Sequence, residues 1–385
     1  MSTEDNPFLF GKIAESDRFC NRKKEINELA AYLKSGKNIW LHSPRRFGKT
    51  SLIKKVLKKL ESSNTAVAYM DVFDTLNEQD FTLIFAKNVT QALSDGLEKA
   101  LELAKKTLSF LVPKITLSDE GKPELQFGIS NTLVQEKLFD SIMEIINTTV
   151  HKKKTQLVVA MDEFQQVSRY ENSELFLAKL RKHIQFQQKI SYIFLGSQRH
   201  LMQDIFTSKK KPFYQSSLIY ELKVISSEDW KLFLKDRTKK TNHPFSEKLC
   251  DKLTQITGGH PYNTEKLASF VYDYFSELPR YDSMDSFLEF VLNNICEQED
   301  SIYKNYLNLL TIGQKIVLAA IADYNGKIPS NEMVRFYNIS SRQYLDKTIK
   351  FLLQKELIEE SDKGLCIYDL FFKRWLSRKA RNWHR

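Results

Sequence analysis

Short apolar runs alternate with longer segments of helical spacing over the first two hundred residues, the arrangement that builds a parallel sheet flanked by helices. Asn38-Ile39-Trp40-Leu41-His42 reads as a short buried strand, and Ser51 to Leu60 places Leu52, Ile53, Val56, Leu57 and Leu60 at helical spacing. Ala66 to Asp71, Leu157 to Met161 and Ser191 to Leu195 read as further strands. The Leu157 run is apolar at every position, as a central parallel strand buried on both faces requires. About 85 residues separate the Ala66 strand from the Leu157 strand, more than one crossover helix needs. Within them Phe81 to Phe110 predicts a helix. Lys114 to Leu117 and Glu124 to Phe127 predict a hairpin around Asp119-Glu120-Gly121-Lys122, and residues 136–150 return to helix. Such an insertion either meets a partner or caps the sheet edge.

The pattern changes downstream. Gly258-Gly259 interrupts one helix, and Tyr262 to Phe275 resumes as an amphipathic run through Leu267, Phe270, Val271 and Tyr274. From Thr311 a smaller unit begins, with helices over Thr311 to Asp323 and Pro329 to Tyr337. A third starts at Ser340-Ser341, with Tyr344, Leu345, Ile349, Leu352 and Leu353 facing inward. Leu357 to Glu360 and Leu365 to Tyr368, joined through Ser361-Asp362-Lys363-Gly364, read as a β-wing. Helices followed by a hairpin define a winged helix-turn-helix. Arg342, Gln343, Lys347 and Lys350 lie on its third helix away from the apolar positions, where a DNA-reading helix presents them. Lys373, Arg374, Arg378, Lys379, Arg381 and Arg385 extend the basic surface.

Composition supports the division. A chain of 385 residues is long for a single core and predicts two or three domains. No run approaches the ~20 apolar residues that span a bilayer, and the polar, acidic start from Met1 to Pro7 does not resemble a signal sequence, so no membrane contact and a cytoplasmic location are expected. Cys20, Cys250, Cys296 and Cys366 are scattered without a CxxC pair, which predicts reduced packing residues rather than disulfides or zinc ligands. The net charge is +10, and residues 311–385 hold 14 Lys or Arg against 8 Asp or Glu. This concentration fits either a polyanionic partner or a solvated basic face.

The chemistry concentrates where strand meets helix. Ser43-Pro44-Arg45-Arg46-Phe47-Gly48-Lys49-Thr50 joins the first strand to the helix beginning at Ser51, the position of a phosphate-binding loop. Successive backbone N–H groups and the helix N-terminus surround the phosphates of ATP or ADP, Lys49 reaches the outer phosphates, and Thr50 offers a hydroxyl to Mg²⁺. Ser43 stands where the pattern has its first glycine and is expected to make the turn with a small strain. Asp162-Glu163 closes the strand ending at Met161, at the carboxyl edge where open α/β sheets bind ligands. Asp162 is expected to orient Mg²⁺ and Glu163 to polarise the attacking water as general base.

Phe19 to Ile26, the Ser43–Thr50 loop, Met161-Asp162-Glu163-Phe164, Gly196-Ser197 and Thr257-Gly258-Gly259-His260-Pro261-Tyr262 occur in an order that resembles the archaeal-type ATPase family, of the STAND class and related to AAA+ ATPases. The Tyr368 to Leu376 ending is also usual there. The resemblance implies an α/β P-loop NTPase parallel sheet (residues 1–225, with an insertion at about 80–135), a helical lid (226–310) and a C-terminal winged helix-turn-helix (311–385). It implies that Asn21 and Arg22 help frame the nucleotide base, that His260 and Pro261 face the nucleotide from the lid, and that Ser197 or Gln198 senses the γ-phosphate or lytic water. Arg199 reads either as a charge sensor or as a solvent-facing or paired cation. The expected function is a slow ATPase acting as a nucleotide-dependent switch, coupled to a winged helix that contacts double-stranded DNA and capable of nucleotide-dependent self-association. The alternatives are a DNA-binding regulator or loader with a secondary ATPase, and a protein scaffold for signalling or defence. No guanine-reading Asn-Lys-x-Asp segment is present, which by itself does not exclude GTP.

Overall fold

The computed structural model describes residues 6–8, 10–11, 19–62, 64–108, 111–117, 121–129, 137–324, 334–361 and 364–380. They divide into two compact units, Ile13–Val224 and a second that joins Met1–Lys12 to Ile225–Arg385.

In chain order the first unit holds α1 Lys23–Lys34, β1 Ile39–His42, α2 Lys49–Leu60, β2 Thr65–Asp71, α3 Glu78–Ala92, α4 Leu97–Thr107, β3 Leu111–Leu117, β4 Pro123–Ile129 and α5 Leu138–Lys153. It continues through β5 Gln156–Asp162, α6 Ser173–Ile184, β6 Ile190–Phe194, α7 Arg199–Thr207 and β7 Leu218–Glu221. Five strands form one parallel sheet in the order β2-β5-β6-β1-β7. Alternation along each strand feeds two separate cores. Leu157, Val159 and Met161 of β5, with Tyr192 and Phe194 of β6, pack in one core with residues of α3, α5 and α6. Val158 and Ala160, with Ile193, lie in the other with residues of α1 and α2. The central strands are thus apolar at every position because both faces are covered.

Two local expectations change. The helix expected over 81–110 is two helices, because the chain leaves helical geometry across Ser94-Asp95-Gly96, residue types that stabilise turns rather than helix interiors. Strand β7 was not anticipated: its four residues are largely exposed, so it lacks the apolar signature of a buried strand. The expected hairpin forms as β3 and β4, paired Leu111↔Ile129 through Leu117↔Pro123. Asp119 and Glu120 of its turn lie outside the described residues.

The second unit carries α8 Ser227–Thr238, α9 Glu247–Thr257, α10 Pro261–Asp273, α11 Met284–Gln298, α12 Asp300–Asn308, α13 Ile312–Tyr324, α14 Arg342–Gln354, β8 Ile358–Ser361, β9 Gly364–Ile367 and α15 Leu370–Ala380. The break between α9 and α10 has a packing cause. A Cβ on Gly259 would lie 2.3 Å from the Ile225 carbonyl oxygen, on backbone with φ +73°. The Gly259 carbonyl in turn accepts hydrogen bonds from Ile225 N at 3.2 Å and Trp230 Nε1 at 3.0 Å. Glycine is therefore required there by the neighbouring segment alone.

Ser341 caps α14 by accepting from Tyr344 N at 3.1 Å, and Leu345, Thr348 and Leu352 are buried beneath it. Strands β8 and β9 pair antiparallel as the wing. The helix expected over Pro329 to Tyr337 lies mostly outside the described residues, although 334–336 are helical; Asp362 and Lys363 of the wing turn also lie outside them. Helix α15 returns to α11 and α12. Trp375 Nε1 donates to Asp300 Oδ1 at 2.9 Å, Arg378 donates to Asn293 at 2.6 Å, and Arg374 pairs with Glu289. Arg374 and Arg378 thus have acidic and amide partners on α11, and Arg378 remains exposed. Arg381 and Arg385 lie outside the described residues.

One lysine of this unit is buried. Lys266 of α10 is 2 % exposed, its ammonium 2.5 Å from Glu299 Oε1 and 4.7 Å from the centroid of the Phe371 ring in α15. The four cysteines carry free thiols, three of them buried. Among the described residues no helix is long and apolar enough to cross a membrane.

Candidate active site

The carboxyl ends of β1, β5 and β6 bring the phosphate-loop and acidic segments together in the first unit. Arg46 and Gly48 take left-handed backbone, which bends the loop before α2 starts at Lys49. Ser43 is not among the left-handed residues, so serine at this position carries no such strain. It is buried, and its hydroxyl donates to the Pro44 carbonyl at 3.1 Å. Phe47 is buried in the core shared with α1 and α2 and anchors the loop, while Arg46 is exposed and Arg45 half-buried. Lys49 is 8 % exposed and donates to the carbonyls of Ser43 at 3.2 Å and Pro44 at 2.8 Å, spanning the loop from within. Ser51 is buried in the first turn of α2.

Asp162 is 5 % exposed and fully engaged. Its Oδ2 accepts from the Thr50 hydroxyl at 2.6 Å and the Tyr69 hydroxyl at 2.8 Å, and its Oδ1 accepts from Glu163 N at 2.9 Å. The loop hydroxyl and the strand carboxylate thus meet, supplying the hard oxygen donors that suit Mg²⁺. Glu163 has left-handed backbone, and its Oε2 accepts from the Ser197 hydroxyl at 2.6 Å and from the Gln165 amide. Ser197 and Glu163 are therefore in direct contact. A Cβ on Gly196 would lie 2.4 Å from Gln165 Oε1 and 2.6 Å from Met202, so those side chains would have to shift. Gln198 is the N-cap residue of α7, though its side chain does not cap the helix.

Like charges gather in two neighbouring clusters. His42 is pushed down to about 4, first by burial and then by the charges of Arg199 and Lys49. Arg199 therefore bears on the same histidine as the loop lysine. Asp71, at the end of β2, is held above the usual carboxylate range by burial and by Asp162 and Glu163, against the opposing hydrogen bond from Phe73 N. Burial and Asp162 push the Tyr69 phenol far up, so it stays a donor.

The remaining expected residues lie on other elements. Asn21 and Arg22 precede α1 on left-handed backbone. Arg22 is buried, its guanidinium 3.0 Å from Glu25, and burial lowers its pKa. His260 and Pro261 belong to the second unit, where Pro261 opens α10 and His260 Nδ1 caps it, accepting from Asn263 N at 3.4 Å. Arg342, Gln343, Lys347 and Lys350 are all exposed on α14. Tyr69, His42 and Gln165 were missed. Tyr69 stood out only as a hydroxyl-bearing residue in an apolar strand, and its meeting with Asp162 depends on the β2–β5 register.

A parallel sheet with a phosphate loop after β1 and a carboxylate pair after β5 defines a P-loop nucleotide-binding core. The family model described as an ATPase domain predominantly from Archaea matches residues 19–267, and a probable winged helix domain matches 301–378. The chain belongs to that ATPase family. It is 28 % identical over 155 residues to an uncharacterized ATP-binding protein of Methanocaldococcus jannaschii, covering 39 % of this chain and 41 % of the relative. A second such protein from that organism is 26 % identical over 165 residues, covering 40 % and 42 %. The chain thus spans about two fifths of the length of the curated relatives it matches. In fold it is similar to a Walker-type ATPase of Pyrococcus abyssi, with TM-score 0.64 and 17 % identity over 96 % of this chain and 99 % of that one. It is likewise similar to the ORC2 protein of Aeropyrum pernix in ADPNP–ADP complexes, with TM-score 0.55 and 15 % identity over 99 % and 98 %.

Proposed function

We propose that this protein is a slow Mg²⁺-dependent ATPase whose nucleotide state governs what its winged helix contacts. The observation that carries the reading is the continuous chain of hydrogen bonds from Thr50 through Asp162 and Glu163 to Ser197, beside the buried Lys49. In this reading the loop amides and Lys49 bind the phosphates, and Thr50 and Asp162 hold the cation, which neutralises phosphate charge when bound. Glu163 takes a proton from the attacking water, and Ser197 holds its carboxylate until then. Release of Glu163 from Ser197 and Gln165 precedes catalysis, because a carboxylate accepting two hydrogen bonds is a weaker base. Residues 1–225 act as the core, 226–310 as a lid and 311–385 as the output domain. The test pairs ATP binding with turnover in purified Lys49→Ala and Glu163→Gln proteins. Loss of binding in the first, and retained binding with lost turnover in the second, are expected; unchanged turnover in both refutes the proposal.

The output is assigned to double-stranded DNA, because Arg342, Gln343, Lys347 and Lys350 share the exposed side of α14. Fluorescence anisotropy on a duplex across a salt series tests it: binding that weakens steeply with salt is expected. A second reading, docking of a protein on the winged helix, is favoured by Glu359 and Glu360 on β8, which repel phosphates. Absence of duplex binding at low salt, with ATP-dependent self-association in a sizing experiment, selects that reading.

A further inference from the structure

We propose that Tyr69 is a positioning residue of the cation site: its hydroxyl fixes the Asp162 carboxylate in the orientation that, with Thr50, receives a nucleotide-bound divalent cation. The inference rests on the Mg²⁺–ATP reading above and adds a residue that neither the loop nor the acidic pair includes.

The geometry follows from strand register. Strands β2 and β5 run parallel with Tyr69 opposite Ala160 and Asp71 opposite Asp162. Ala160 lies in the core that packs on α1 and α2, and Tyr69 packs against the same core. Asp162 is two residues beyond Ala160, so its side chain leaves the sheet on that same face. Tyr69 is therefore its diagonal neighbour on the adjacent strand, within reach of a long side chain. Thr50, in the first turn of α2, comes to the same carboxylate from the helix layer.

The arrangement separates two kinds of donor. A threonine hydroxyl has one proton and two lone pairs, so Thr50 can donate to Asp162 and ligate a cation together, but its orientation then depends on the cation. Tyr69 has no ligating duty, although its hydroxyl is also within hydrogen-bond reach of Thr50. Lys54 of α2 lies beside its ring, the ammonium 5.3 Å from the centroid. With Tyr69 and Thr50 on Oδ2 and Glu163 N on Oδ1, rotation of the carboxylate breaks all three bonds at once. Removing the phenol leaves Oδ2 held by Thr50 alone, the donor that the cation itself reorients.

The experiment measures the affinity of full-length protein for a fluorescent ATP analogue in EDTA and across a Mg²⁺ titration, with Mn²⁺ binding followed by electron paramagnetic resonance. Tyr69→Phe keeps the ring and removes only the hydroxyl. It is expected to bind the analogue normally in EDTA, while the Mg²⁺ concentration giving half of the affinity gain rises about tenfold, as loss of one hydrogen bond to a charged group implies. Mn²⁺ binding should weaken in step. Lys54→Met, which leaves the hydroxyl in place, should keep the wild-type half-point. An unchanged half-point in Tyr69→Phe overturns the inference, as does equal weakening in EDTA or an equal shift in Lys54→Met, either of which marks a packing role. If the wild-type protein itself shows no Mg²⁺-dependent gain, the Mg²⁺–ATP reading falls and this inference with it.

Discussion

In the first unit the polar groups assigned to chemistry are buried or half-buried and tied into a hydrogen-bond network, whereas those assigned to the second unit's output stand exposed along one helix. Asp162 has three donors around it and Glu163 two, so the position of each carboxylate depends on several neighbours. Arg342, Gln343, Lys347 and Lys350 are spread over α14, and each would act on a ligand separately. Substitutions in a bonded network couple, while those on an exposed charged face add. The two units should therefore fail differently when probed.

The largest effect is expected from Glu163→Gln, which should lower turnover by about 10²–10⁴-fold, the usual contribution of a general base, with ATP affinity retained. Single-turnover phosphate release measures it. Lys49→Ala should weaken ATP binding by roughly 10- to 100-fold, as removal of a charged hydrogen-bond donor implies; isothermal titration checks this. Gly259→Ala, a change confined to the second unit, should cost about 1–3 kcal/mol through the collision with the Ile225 carbonyl. Denaturant unfolding would report it, with ATP affinity at native conditions as the comparison. Lys347→Ala with Lys350→Ala should weaken duplex binding uniformly across sequences and reduce the salt slope by about one for each phosphate left without its lysine. Coupling between them greater than their summed single effects would break the contrast drawn above.

The smallest expected effect is a pH dependence. The His42 pKa is lowered on folding from 6.5 to about 4. The unfolded chain therefore binds the proton more readily, and this contribution to stability, complete above about pH 6.5, is lost as the pH falls towards 4. His42→Gln should flatten the melting temperature between pH 7 and pH 5, measured by circular dichroism.

The phosphate loop, the acidic pair and the order of strands along the chain were legible because each is local: an apolar run, a turn and a helical period adjoin in sequence. Ser43 was read as strained because the pattern has glycine there, yet its backbone avoids the left-handed region. Tyr69 was invisible because its contact with Asp162 spans 93 residues and depends on which strands are neighbours. The spatial order β2-β5-β6-β1-β7 is not inferable from periodicity. Strand β7 was missed for the opposite reason: at the sheet edge its residues stay exposed, and burial is what marks a strand in sequence. The partners of Arg374 and Arg378 were not legible because they lie about 80 residues earlier, on another helix.

The buried Lys266 has a mechanical consequence. Its carrier, α10, begins at the Gly-Gly-His-Pro turn, while Phe371 under its ammonium belongs to the last helix of the winged-helix region. Parting those two helices would take the ring from the ammonium and leave Lys266 with Glu299, which sits between α11 and α12. Moving α10 alone would disturb the ion pair and the ring contact together, so one buried charge ties this helix both to the α11–α12 junction and to α15.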